Sequence, residues 1–153
     1  MMGGKIKSLI LPMAAFAVFV FIPTLSHAQA DAAIRRLPIE DWCSAEAARD
    51  MQAKMRLFTS DAVLMPPGEP NVIGQQAIRA WHEKVWMGTK YQCSGMLDEV
   101  QVFGDWALAR GTFSGVETQA SGAQRRETGK FLNMIRRQAD GSWKIARAIW
   151  NAN

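Results

Sequence analysis

Residues 127–151, ETGKFLNMIRRQADGSWKIARAIWN, decide how this chain folds. Two runs of near-strict apolar and polar alternation flank Ala139-Asp140-Gly141-Ser142. An Asp-Gly pair between alternating segments is the strongest short-range hairpin signal, because the tight turn needs positive φ and the flanking period of two is that of a strand. Two long antiparallel strands, 128–138 and 143–151, are therefore predicted. Alternation puts Trp143, Ile145, Arg147 and Ile149 on one face of the last strand and Lys144, Ala146, Ala148 and Trp150 on the other. Arg147 thus falls in an apolar row, where a charge is either a paired structural group or a ligand contact.

Upstream, 91–103 and 106 to about 117 read as two further strands joined at Gly104-Asp105, with a longer turn over 119–124. A helix is predicted from Gln75 to about Met87, stopped by Gly88, with an apolar stripe of Ile78, Trp81, Val85 and Trp86 that takes in His82. Residues 62–65 form a brief strand ended by Pro66-Pro67-Gly68-Glu69-Pro70, since prolines lack the ladder donor. Pro38, Glu40 and Asp41 mark a helix start running to about Ala48, after a helical turn over 31–37 broken at Pro38. Asp50 caps a second piece with Met51, Met55 and Phe58 at helical spacing. Helices first and an antiparallel meander after give an α+β fold.

The chain opens with Lys5 and Lys7, an apolar run over 9–22, and small residues at Ser26, Ala28 and Ala30. That is the pattern of a secretory signal peptide over 1–28, cut before Gln29 or, two residues on, before Asp31. Its apolar run is shorter than the ~20 residues of a membrane span. The expectation is an exported protein, periplasmic or secreted, with no membrane attachment after cleavage and a single domain over 29–153. That domain keeps 16 basic and 14 acidic residues, with no basic cluster larger than pairs such as Arg125-Arg126 and Arg136-Arg137, so nucleic acid is not an expected partner. Cys43 and Cys93 would travel to an oxidising compartment, where they are either bridged or two buried thiols.

The order of helix, FTSDAVLMPPGEPNVIGQQAIRAWHE over 58–83, and a meander closing on DGSWKIARAIWN over 140–151 resembles the SnoaL-like and ketosteroid-isomerase-like group of the nuclear-transport-factor-two-like superfamily. The carrying residues are Asp61-Ala62-Val63, Gly74 with Ala77-Ile78, and Gly141 with Trp143 and Ile145. The resemblance covers essentially all of 29–153. It implies N-terminal helices packed on a strongly bent, mainly antiparallel sheet, a cone with an internal pocket, often paired into a homodimer through the sheet. It does not carry the isomerase chemistry: the positions of the group's tyrosine, proton-shuttling aspartate and second acid fall on Trp42, Pro66, and Leu132 or Asn133, none of which is a phenol or carboxylate.

Pocket candidates are therefore ligand-binding residues: Trp42, Met65, Trp81 and Tyr91 as walls, with Arg110, Lys130, Asn133 and Arg147 sent by alternation toward apolar rows. Three cations there would suit an apolar molecule with a polar or anionic end. His82, the only histidine after residue 28, is the candidate acid/base, against the ordinary alternative of a buried core histidine. No zinc-type Cys/His spacing, phosphate loop or serine elbow appears, so no metal or cofactor is expected. Three readings follow: an exported small-molecule-binding protein of unassigned activity; an isomerase- or cyclase-like enzyme using His82 with Arg110, Lys130 or Arg147; and a non-catalytic dimeric module using the sheet surface around Trp150, Ala146 and Ala148.

Overall fold

The computed structural model of the chain describes residues 27–153, so the expected signal peptide lies outside the described residues except for its last two positions. Helix α1 (His27–Arg36) runs into a π-helical turn (Leu37–Asp41) and then α2 (Trp42–Ala48). Pro38 does not break this helix as predicted: the wider turn accommodates a residue with no N–H to give. Arg49, in the left-handed conformation at φ 51°, ends α2. The Asp50 carboxylate accepts a hydrogen bond from the Ala53 N–H at 2.9 Å and starts α3 (Met51–Arg56), the cap expected from sequence.

Strand β1 (Phe58–Met65) is twice the predicted length: it begins at the buried Phe58 and Thr59 and pairs parallel to the chain's last strand at Phe58 and again over Val63–Met65. A short β2 (Val72–Ile73) and α4 (Gln75–Trp86) follow, then β3 (Thr89–Phe103), β4 (Trp106–Gln119), β5 (Gln124–Arg137) and β6 (Trp143–Ala152). They form one curved, open, mixed sheet of six strands in the order β2-β1-β6-β5-β4-β3, antiparallel except at β1–β6. The helices cover its concave side. Phe58, Leu64, Ile78, Ile135 and Ile145 are fully buried at the closed end, each contributing about 1.5–3 kcal/mol by leaving water.

Two bulges control which residues face inward. On β6, Met134 pairs with Arg147 but Ile135 pairs with Ile145, so Ala146 is the extra residue. The inward row therefore changes from Trp143 and Ile145 to Ala148, Trp150 and Ala152. On β3 the pairing slips between Leu97 and Glu99, and the inward set passes from Tyr91, Cys93 and Leu97 to Val100. Glycines allow the sharp bend. A Cβ on Gly111 would come within 2.9 Å of the Phe131 ring, and the Tyr91 and Phe113 rings cover Gly115 and Gly129 in the same manner.

Candidate functional site

The bent sheet and the helices enclose a cavity of about 400 Å³. Its floor is built where β5 and β6 pair inward-facing residues: Phe131 opposite Trp150, and Asn133 opposite Ala148. One wall is aromatic. Trp42, Trp81 and Trp150 line the cavity, with ring centroids 5.9 Å apart for Trp42–Trp150 and 6.0 Å for Trp81–Trp150, at steep interplanar angles of 68° and 69°. Trp81 Nε1 donates to Glu69 Oε2 at 2.9 Å, which fixes that indole against the proline-rich loop.

The far end is polar. Tyr91 Oη donates to Glu127 Oε1 at 2.6 Å, while Arg125 pairs with Glu117 at 2.8 Å and Glu127 at 3.4 Å. Burial pushes the Tyr91 phenol well above its ordinary value, and its bond to the Glu127 carboxylate adds to the effect. The disulfide Cys43–Cys93 also lines the cavity and ties α2 to β3 across a Cα separation of 5.3 Å, which decides between the two readings of these cysteines.

Behind the aromatic wall lies a buried charged cluster that periodicity did not single out. Glu46, 6% exposed, reaches the cavity and pairs with the fully buried Lys54, Oε1 to Nζ 2.7 Å; Trp86 Nε1 donates to the other carboxylate oxygen at 2.5 Å. The Lys54 ammonium also stands 3.6 Å from the centroid of the Trp42 ring. Burial holds Lys54 down to about 8, against the opposing pull of Glu46. The available signal was a charge at apolar helical spacing: Glu46 follows Trp42 by four residues, and Lys54 follows Met51 by three.

Of the predicted site residues, Trp42, Trp81, Tyr91 and Asn133 line the cavity. Asn133 is only 3% exposed. The other four lie off it. Arg110 is on the outer sheet face, paired with Glu99 at 2.5 Å and Asp98 at 3.6 Å. Its row mates Trp106 and Leu108 are large but point outward, while the inner row of β4 is the small set Ala107, Ala109 and Gly111. Lys130 is exposed beside outward Leu132. Arg147 falls outside because of the bulge at Ala146; its guanidinium donates to the carbonyls of Ala146 at 2.7 Å and Asp61 at 3.2 Å. Met65 pairs with outward-facing Ile149. With these three cations outside, the basis for an anionic ligand end is gone.

His82 is fully buried behind Trp42 and Trp81, ringed also by Phe58 and Trp86. Desolvation, and then the nearby Lys54 charge, push its imidazole down to about 2. Its Nδ1 is 3.5 Å from Glu46 Oε1, and neither ring nitrogen has a hydrogen-bond partner among the described residues. It shares no cavity with Arg110, Lys130 or Arg147, so the predicted constellation of a histidine base and a cationic oxyanion site is not assembled.

An open, bent α+β sheet closed by helices around one aromatic-walled cavity defines a class of small pocket-forming domains. Residues 39–148 match the SnoaL-like domain family, and the chain belongs to it. Among solved structures it is similar to a ketosteroid isomerase-like protein from Erwinia carotovora atroseptica, 28% identical, TM-score 0.71, covering 82% of this chain and 94% of that one. A conserved protein from Planctomyces limnophilus is 26% identical with TM-score 0.74, over 84% of this chain and all 100% of that one. A protein from Nostoc punctiforme with a cystatin-like fold is 14% identical with TM-score 0.67, over 86% and 96%, a likeness of fold alone. No curated protein sequence matches the chain.

Proposed function

We propose that this chain is an exported small-molecule-binding protein that takes an apolar molecule with one polar end into its cavity. The observation that carries the reading is the pairing of aromatic walls with a single side-chain amide, Asn133, on the cavity floor. Pockets of this size, mostly apolar with a few convergent polar groups, are the usual form of a ligand site. The disulfide and the N-terminal pattern support export. No reaction is assigned, since the one imidazole considered is buried and neutral.

A thermal-shift screen against aromatic and alicyclic molecules bearing a single polar group tests this. A ligand at about a hundred times its Kd stabilises by roughly 2.7 kcal/mol, and the shift is expected to vanish in Trp150→Ala. No stabilisation by any class sinks the reading.

A second proposal, a homodimer through the sheet, is favoured by the cross-strand pair Leu132 and Ile149, 37% and 45% exposed on the outer face. Sedimentation analysis tests it; a strict monomer at high concentration counts against it.

A further inference from the structure

The charge inside the cavity runs opposite to the sequence expectation. Four carboxylates line it, Glu46, Glu69, Glu117 and Glu127, against one guanidinium, Arg125. Lys54 matches Glu46 from behind, and Arg125 is shared between Glu117 and Glu127. Two negative charges stay uncompensated, one of them on Glu69, for which no cation lies within salt-bridge distance among the described residues. That carboxylate is held to Trp81 by the indole N–H at 2.9 Å, so it sits at the edge of the three-tryptophan wall.

Indole faces attract cations through their negative quadrupole, most strongly for tryptophan and most of all where water is excluded. The molecule already uses this chemistry: the Lys54 ammonium stands 3.6 Å from the Trp42 centroid. Trp42 and Trp81, each inclined steeply to Trp150 with a carboxylate at the Trp81 edge, form the kind of aromatic wall that holds an alkylated ammonium, which cannot be satisfied by hydrogen bonds alone. Asn133, buried at 3% on the same floor, offers an amide oxygen to an ammonium that retains an N–H.

We propose that the polar end of the ligand is cationic, a tertiary or quaternary ammonium on an apolar body, seated against Trp42, Trp81 and Trp150 with Glu69 as its counter-charge. This rests on the cavity being a ligand site. The geometry then selects the sign of the ligand's charge. A carboxylate in the same position would meet an aromatic wall and an unpaired glutamate.

The test is a calorimetric titration of the purified full chain at low salt with three probes of similar shape: phenyltrimethylammonium; tert-butylbenzene, its uncharged isostere with carbon in place of nitrogen; and benzoate. Phenyltrimethylammonium is expected to bind roughly tenfold tighter than tert-butylbenzene or better, from about 1.4 kcal/mol or more of cation–π and charge attraction. Benzoate is expected to bind least. Glu69→Gln, which keeps an oxygen to accept the Trp81 N–H while removing the charge, is expected to narrow the gap severalfold. Trp81→Leu is expected to narrow it further. Equal binding of the charged and neutral probes, or preference for benzoate, overturns the cationic assignment and leaves the pocket reading standing. A gap untouched by both variants overturns the placement, and failure of all three probes to bind overturns the pocket reading with it.

Discussion

His82 makes the fold acid-sensitive in a way that one substitution can isolate. Its imidazole is ringed by Trp42, Phe58, Trp81 and Trp86, fully out of water, and held down to about 2 where an ordinary histidine titrates near 6.5. Between those values the unfolded chain binds a proton that the folded chain refuses. Stability then rises with pH, so the contribution is complete above pH 6.5 and is lost progressively as pH falls. One proton of difference is worth about 1.4 kcal/mol per pH unit once the unfolded imidazole is fully protonated, so from pH 7 to 4.5 the loss is about 2.5 kcal/mol. Ordinary carboxylates titrate mainly below that window. His82→Leu keeps an apolar group of similar size and removes the proton site. Denaturant melts across pH 4.5–7 are expected to show the wild type falling by that amount and the variant staying flat. Parallel profiles, or the His82 imidazole resonance titrating near 6.5, would refute the burial argument.

Removing one partner of the Glu46–Lys54 pair strands a buried charge, so Lys54→Met is expected to cost about 3–5 kcal/mol in urea melts, with much of it recovered in the double variant carrying Glu46→Gln. Because Lys54 is held at about 8 in the fold against an ordinary 10.5, the unfolded state binds more protons between those values. Wild-type stability is therefore expected to rise from pH 8 towards 10, beyond which the raised Tyr91 acts in the opposite sense; a flat profile in Lys54→Met and a rising one in wild type is the check. Arg147→Ala is expected to cost about 1 kcal/mol, through loss of its bonds to the Ala146 and Asp61 carbonyls, and to leave ligand affinity unchanged by calorimetry. Replacing both cysteines with alanine opens a loop of sequence separation 50 and is expected to cost about 4 kcal/mol, read by thermal melts of oxidised wild type beside the variant.

The sequence made the architecture legible because local signals agreed with one another: the Asp140-Gly141 turn, the Asp50 cap and the Gly88 stop each fall where the structure has them. What it hid were the places where local rules break. Strict alternation carries Arg147 inward, and a single extra residue at Ala146 reverses every side chain after it. Large Trp106 and Leu108 suggest the inner row of β4, yet the bend needs alanine and glycine there, so the side-chain sizes pointed to the wrong face. Parallel pairing of β1 with β6 leaves no local trace, because the paired residues, Phe58 with Ile145 and Val63 with Arg147, stand far apart along the chain. Glu46 and Lys54 were readable as charges within apolar stripes, but each on its own looks like a solvated helix residue; only packing α2 on α3 brings them together. The cavity walls came through better than its charge, since Trp42, Trp81 and Tyr91 are large wherever they point.

The most direct test of the ligand site follows the indole N–H resonances of the six tryptophans while phenyltrimethylammonium is titrated into labelled protein. Saturable shifts at Trp42, Trp81 and Trp150, with Trp106 and Trp143 unmoved, are the expected result. Shifts centred on Trp106 at the outer sheet face, or none at any tryptophan, would contradict it.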